Sequence, residues 1–391
     1  MFCLLYTSHV LTFNIHHYQR KLALNKKIRV GVLFGGQSGE HEVSLVSAQA
    51  VLKNLDPQRY EAVPIGITKE GRWLAGGDPL AALTSQADPK LLPSSMQPHE
   101  NVHPVQAAEI TSPASMLSIS AYVSPTQALP KLDVIFPVLH GPRGEDGTVQ
   151  GLCELAGVPY VGCAVLASAV GMDKAMMKAA FAAAGLPLLP WRLVRRIDYE
   201  EQTDSILDQL EQALRYPMFV KPANMGSSVG ITRATDRAML AEGLAIAASY
   251  DRRIVVEQGI SAREIEISVL GNEHIESSVP GEVVPSNDWY DYEAKYIDGA
   301  SQIIIPAPIS AELQDQVKQL AARAFSAVDG QGLARVDFLL DKHSQQLFIN
   351  EVNTMPGFTP VSMYAQMWAA SGLEYPQLLD RLIALALERA R

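Results

Sequence analysis

Arg335 and Asp337 in "ARVDFLL" (334–340), with Glu351 and Asn353 in "FINEVNTMPGF" (348–358), are the residue types of a metal-assisted reaction. Both stretches otherwise have the apolar content of core strands. Side chains alternate along a strand with period two, so Arg335, Asp337 and Leu339 share one face, and Ile349, Glu351 and Asn353 share another. Paired as a hairpin, the strands let Asp337, Glu351 and Asn353 converge. Two carboxylates and an amide carbonyl, with no His or Cys beside them, suit a hard cation such as Mg²⁺ or Mn²⁺, which keeps waters and also binds substrate phosphates. The same residues, taken alone, equally describe the solvent face of an ordinary hairpin.

"KPANMGSSVGI" (221–231) is a strand running into a small-residue loop. Gly226, Ser227, Ser228 and Gly230 let backbone N–H groups approach an anion, and Lys221 stands where it can reach a phosphate. The spacing is not that of the Walker loop, and a flexible surface loop has the same composition. Lys174, Lys221 and Lys295 are the candidate phosphate cations. "VVEQGI" (255–260) could offer adenine a backbone donor and acceptor at Glu257, Gln258 and Ile260, with Glu264 for ribose hydroxyls, or it is simply a strand end. Glu40 opens a helix directly after a strand and a Gly-Gly turn. The helix's positive end favours its charged form, a description that also fits an ordinary first-turn Glu. His140 ends a strand beside Gly141 and Glu145, and a carboxylate could hold its ring. "WYDYEAKYIDGA" (289–300), with Lys295 and Tyr296, reads as a loop that closes over a reactive site, or as a surface loop anchored by its aromatics.

The elements that must position these groups follow from periodicity. "IRVGVLFGG" (28–36), "YEAVPIGIT" (60–68) and "DVIFPVLHG" (133–141) read as strands, with helical spacing over 42–55, so the chain opens as a βαβ unit with a parallel sheet. Residues 75–131 are rich in Pro, Ser, Gln and Ala and read as a looped insertion, with room for a hairpin. "GPRGEDG" leads into a helix over "TVQGLCELAG", and 173–215 reads as mostly helical. "YPMFVKP" and "RIVVEQGI" are strands, "EIEISVLG" alternates as a half-buried strand does, and "LLDRLIALALERAR" is an amphipathic helix. The expected fold class is α/β in three modules: 28–173, 174–264 and 265–391. Residues 1–27 form an extension, with basic residues following rather than preceding its apolar part, unlike a signal peptide.

At 391 residues the chain exceeds a single ordinary core, and its net charge of −10 argues against nucleic acid as a partner. Cys3, Cys153 and Cys163 form no CxxC pair, which suits a reducing compartment. No apolar run approaches the roughly 20 residues that span a bilayer.

In order along the chain, "LFGGQSGEHEVSL", "LHGPRGEDGT", "MDKAMMK", "VKPANMGSSVG", "VVEQGISAREIEISVLG", "YDYEAKY", "ARVDF" and "NEVNTMPGFTPVSMY" resemble the D-alanine–D-alanine ligases of the ATP-grasp superfamily. The likeness covers about residues 28–391. It implies an ATP-grasp fold behind an N-terminal parallel-sheet domain. It also implies ATP-dependent joining of two D-alanines through a D-alanyl phosphate, for peptidoglycan precursor synthesis in the cytoplasm, by a homodimer. Lys174, Lys221, Ser228, Glu257, Gln258, Ile260, Glu264 and Lys295 would bind ATP. Asp337, Glu351 and Asn353 would hold two Mg²⁺ or Mn²⁺ ions. Glu40 would bind the first D-alanine's ammonium and, with Ser227 and Tyr296, fix a mobile loop over the site. Arg335 and the N–H of Gly357 would hold the tetrahedral oxyanion, His140 would lie near the first carboxylate, and Ser362 and Met363 would meet the second D-alanine. Tyr296 implies D-alanine rather than D-lactate as acceptor. Gln258 departs from relatives that carry Lys, and "FTPVSMY" varies among them. Another ATP-grasp ligase would share the nucleotide residues but differ at Glu40, Tyr296 and 357–363, and a non-catalytic nucleotide sensor would not need Arg335.

Overall fold

The computed structural model describes residues 26–96, 108–110, 131–284, 302–359 and 362–390. Tyr296, Lys295 and the expected closing loop therefore lie outside the described residues, as does nearly all of the extension.

Three sheets organise the chain. The first contains β1 (Ile28–Gly35), β2 (Tyr60–Ile67), β3 (Trp73–Ala75), β4 (Ala108–Ile110) and β5 (Val134–Pro137), in the order β4-β3-β2-β1-β5. It is parallel only through β2-β1-β5. β3 and β4 run antiparallel, so the sheet is mixed rather than parallel throughout. The antiparallel edge comes from the insertion, whose chain leaves after β3 and returns as β4, as a hairpin would. Helices α1 (His41–Asn54), α2 (Pro79–Thr84) and α3 (Thr148–Ala156) pack around this sheet. The turn from β1 to α1 needs glycine. Gly35 has φ +88°, and a Cβ there would lie 2.2 Å from the Ile67 carbonyl oxygen.

Two helices lead onward, α4 (Val165–Met172) and α5 (Lys174–Ala183), the latter capped by Asp173, whose side chain accepts from the N–H groups of Ala175 and Met176. The second sheet is antiparallel in the order β6-β9-β7-β8, built from β6 (Trp191–Arg195), β7 (Met218–Pro222), β8 (Thr232–Ala234) and β9 (Arg253–Gln258). α6 (Arg196–Glu201), α7 (Thr203–Ala213) and α8 (Arg237–Tyr250) accompany it. β6 interrupts the stretch expected to be mostly helical. Its exposed Arg192, Leu193 and Arg195 leave no clean two-residue alternation to signal a strand.

The third sheet takes β10 (Ala262–Gly271), β11 (Glu276–Ser277), β12 (Gly281–Val284), β13 (Gln302–Ile304), β14 (Gly332–Asp341) and β15 (Leu347–Asn353), in the order β13-β12-β10-β14-β15 with β11 beside β10. α9 (Ala311–Ala327), α10 (Met363–Ala370) and α11 (Tyr375–Arg389) complete it. One face of β10, β14 and β15 presents Ile265, Ile267, Val336, Phe338 and Val352 to Phe181 of α5 and Phe325 of α9, all at most 2 % exposed. β10 is not half-buried as its alternation suggested: Ser268 is fully buried because α10 covers the second face there, and its Oγ donates to the Tyr364 carbonyl at 3.1 Å. α11 returns to the first sheet, where Leu378, Leu382 and Ile383 join Val30, Val32 and Phe136 in one core.

Candidate functional site

Burial decides which face of the third sheet carries chemistry. Its apolar face is sealed by helices, so the other face keeps the polar residues, and antiparallel register sets them in rows. Glu266 of β10 lies opposite Asp337 of β14, which lies opposite Glu351 of β15, and the next row runs Ser268, Arg335, Asn353. A register shift falls between Asp337 and Phe338, where Asn350 is the extra residue in β15. This bulge corrects the expected alternation. Ile349 pairs with Phe338 and is 1 % exposed in the core, while Glu351, two residues on, turns to the polar face. A single strand can thus serve a core and a site at once.

Arg335 dominates that face. Its Nε and Nη2 donate to the two carboxylate oxygens of Asp337, each at 2.7 Å, and Nε lies 2.9 Å from Glu266 Oε2. Burial alone would lower its pKa, but Asp337 and then Glu266 outweigh burial and hold the guanidinium well above its ordinary value. Asn353 Oδ1 accepts from the Met355 N–H at 3.1 Å and fixes the turn that follows. Asp337, Glu351 and Asn353 are all-oxygen donors on adjoining strands, which fits a hard divalent cation. Among the described residues no three His, Cys, Asp or Glu side chains already surround a common point, so an ion here would complete its shell with ligand oxygens and water.

The nucleotide candidates gather around Glu257, which is 2 % exposed. Lys221 Nζ donates to its Oε2 at 2.8 Å and Lys178 Nζ to its Oε1. Burial would raise this carboxyl, but the two ammonium groups hold it down at about 2. Burial would lower the Lys221 ammonium, but Glu257 first and then Glu351 and Glu264 together raise it. Lys174 donates to the Met225 carbonyl at 2.6 Å and ties α5 to the Gly-Ser loop. In that loop Ser227, Ser228 and Gly230 have φ of +50°, +59° and +72°. Two non-glycine residues in the left-handed region mark a backbone held under strain, of a kind that clusters at ligand clamps. The Gln258 N–H is taken by the Pro190 carbonyl at 2.9 Å, and its side chain accepts from the Arg215 N–H at 3.0 Å, so a donor to adenine would come from another backbone group of this stretch. Ile260 lies just past the end of β9, after Gly259. Glu264 stands on β10 two residues before Glu266, on the same face.

Glu40 is the N-cap of α1, yet its side chain makes no cap hydrogen bond. Instead Oε1 accepts from Ser227 Oγ at 2.5 Å, and Oε2 sits where a Cβ on Gly141 would come within 2.9 Å. The first module's carboxylate therefore meets the second module's loop, which an ordinary first-turn Glu would not do. His140 is not held by a carboxylate as expected. Its Nε2 lies 3.3 Å from Ser47 Oγ and its Nδ1 3.3 Å from the Met355 carbonyl, while Glu145 takes the Gly141 N–H at 2.5 Å. Burial lowers the His140 pKa and keeps the ring neutral. Glu145 is raised well above the usual carboxylate range, by burial first and then by the charge of Glu40. A Cβ on Gly357 would lie 3.1 Å from Ser362 Oγ, which accepts from the Thr359 N–H at 2.8 Å. Met363 is not brought to the cluster: its side chain packs with Val283, Ile305 and Met367. Sequence reasoning missed Lys178, Glu266 and Ser47. The first was signalled by its place one helical turn after Lys174, the second by sharing the alternation of Glu264. Nothing in the local pattern marks Ser47.

The polar face of the third sheet, the strained loop and Glu257 with its two lysines are disposed as the resemblance to the ATP-grasp ligases implies, and comparison with known proteins places the chain in that class. Residues 29–163 match the family described as D-ala D-ala ligase N-terminus and residues 180–384 the one described as D-ala D-ala ligase C-terminus. The D-alanine–D-alanine ligase of Heliobacterium modesticaldum is 49% identical over 365 residues, covering 93% of this chain and 96% of the relative, and that of Bacillus pumilus is 49% identical over 366 residues, covering 93% and 97%. Among solved structures, the VanG D-Ala:D-Ser ligase from Enterococcus faecalis is similar at TM-score 0.78 and 33% identity, covering 92% of this chain and 100% of that one. The D-alanine–D-alanine ligase from Coxiella burnetii is similar at TM-score 0.74 and 35% identity, covering 93% and 95%. The chain belongs to the D-alanine–D-alanine ligase family.

Proposed function

We propose that the protein joins two D-alanines at the expense of ATP, through a D-alanyl phosphate, to supply peptidoglycan precursor synthesis. The family carries ATP and a divalent metal with it; two Mg²⁺ or Mn²⁺ ions on Asp337, Glu351 and Asn353 are our finer reading. One observation carries the proposal. The small-residue loop is held from both sides: Ser227 donates to Glu40 of the first module at 2.5 Å, and Lys174 donates to the Met225 carbonyl at 2.6 Å. The candidate amino-acid carboxylate and a candidate phosphate cation thus share one loop, which supports the positioning that acyl-phosphate formation requires.

The bound metal would neutralise phosphate charge during transfer. Lys174 and Lys221 would orient the phosphates under the N–H groups around Ser228, and Glu257, Gln258, Ile260 and Glu264 would seat the nucleoside. Glu40 would bind the first D-alanine's ammonium, and its hydrogen bond from Ser227 supports a role in closing the loop, with Tyr296 and Lys295 as its further members. Neutral His140 would lie by the first carboxylate. When the second amine attacks, Arg335 and the Gly357 N–H would stabilise the oxyanion, with Ser362 and the backbone at Met363 receiving the acceptor.

No helix among the described residues is long and apolar enough to cross a membrane. We place the reaction in the cytoplasm, with small molecules as substrates and a homodimer as the working unit, which sedimentation would test. Mass spectrometry after incubation with ATP, Mg²⁺ and D-alanine, alone or with D-serine or D-lactate, tests the function. D-Ala-D-Ala as the dominant product supports it. A dominant D-Ala-D-Ser or D-Ala-D-Lac, or no D-alanine-dependent phosphate release, overturns it.

A further inference from the structure

Lys178 takes no part in the mechanism above, yet its side chain is only 2 % exposed and lies against one that is 3 % exposed. Burying an ammonium is costly unless it is paired, and an apolar residue of similar volume would fill the same space more cheaply. The pairing is unusual: Lys178 and Lys221 share a single carboxylate, one on each oxygen of Glu257. Lys221 is the less enclosed of the two, at 14 % exposure. If Glu257 faced Lys221 alone, the pair would be neutral and the carboxylate would be free to chelate the ammonium. With Lys178 holding Oε1, the carboxylate is pinned and meets Lys221 through Oε2 alone. Glu351 and Glu264 also act on Lys221, but less than Glu257 does. α5 contributes both fixed points: Lys174 anchors the Gly-Ser loop, and Lys178, one turn later on the same helix face, anchors Glu257.

We infer that Lys178 is a positioning residue for nucleotide binding: it holds Glu257 by one oxygen so that Lys221 is fixed in place and keeps its charge for a phosphate. This rests on the reading of Lys221 as a phosphate ligand. The test measures ADP affinity in the presence of Mg²⁺, together with kcat and the KM values for ATP and D-alanine, in Lys178→Met, Lys178→Arg, Lys221→Met, Glu257→Gln and the Lys178→Met/Glu257→Gln double variant. A hydrogen bond to a charged group is worth a factor of about 10 to 100. Lys178→Met should weaken ADP and raise the KM for ATP by that factor, leave the KM for D-alanine within about twofold, and combine less than additively with Glu257→Gln. Lys178→Arg, which keeps the charge, should recover most of the affinity. If Lys178→Met does not fold, the arginine variant and a Lys178→Gln variant carry the same comparison. Unchanged ADP affinity in Lys178→Met or Lys178→Gln, beside a clear loss in Lys221→Met, overturns the role of Lys178. Unchanged affinity in Lys221→Met overturns the phosphate reading on which it stands.

Discussion

Replacing Arg335 by alanine should damage stability, through the ion pairs it makes, and catalysis, through its proposed oxyanion role, by separable amounts. The guanidinium makes two 2.7 Å hydrogen bonds to Asp337 and stands 2.9 Å from Glu266, with all three side chains at most 19 % exposed. Removing it leaves two carboxylates facing each other across β10 and β14 with no counter-charge from that side chain. Breaking a buried ion pair by deleting one partner costs about 3–5 kcal/mol. Losing an oxyanion donor costs roughly a further 10²–10³ in turnover. The two effects part company on adding Mg²⁺. A cation on the carboxylate face restores positive charge to Asp337, so the stability deficit of Arg335→Ala should shrink with rising Mg²⁺ by more than wild type gains, while turnover stays low. Arg335→Lys, which keeps a charge but cannot span both oxygens of Asp337, should regain stability and only part of the rate. The assays are denaturant midpoints across a Mg²⁺ titration and D-alanine-dependent phosphate release. A folded Arg335→Ala enzyme with near-normal kcat and a wild-type midpoint would refute both the ion-pair account and the oxyanion role.

Three further outcomes follow from the same geometry. Ser227→Ala removes the hydrogen bond to Glu40 and should raise the KM for D-alanine about 5- to 10-fold with little change in melting temperature, a loss near 1 kcal/mol; an unchanged KM would show that the contact is incidental. Gly141→Ala puts a Cβ 2.9 Å from Glu40 Oε2 at a φ of +73°, so it should cost about 1–2 kcal/mol of stability and also displace the carboxylate, visible as a larger loss of activity than Ser227→Ala; full activity would argue that Glu40 does not bind substrate. Glu257 is held at about 2 against an ordinary value of 4.5, so it contributes stability at pH above 4.5 that is lost as pH falls toward 2. Over that window the unfolding free energy of wild type should drop by roughly 3 kcal/mol more than that of Glu257→Gln, as read from urea midpoints; parallel pH profiles would sink the assignment.

Much of the placement of the carboxylate–guanidinium face was legible because it depends on short-range patterning. A strand's two-residue period put Arg335 and Asp337 together, and one short turn made β14 and β15 a hairpin. The period failed at Ile349, because a bulge changes side-chain direction without changing composition. It failed to reveal β6, whose edge position leaves too few buried residues to show alternation. It could not reveal that Gln258 spends its N–H on Pro190, since that bond joins residues far apart in the chain.

By itself the sequence determined the residue types, their order and the local elements that carry them: a Gly-Gly turn before Glu40, a small-residue loop after Lys221, two carboxylates and an amide on adjoining strands. Only the tertiary structure decided which of these meet. Glu40 reaches Ser227 across 187 positions of chain, Lys178 reaches Glu257 across 79, and Glu266 joins the Arg335 face through the pairing of β10 with β14. Such contacts are set by which apolar faces the sheets and helices bury against one another. That choice is made by the core as a whole, and no window of sequence around the polar residue contains it.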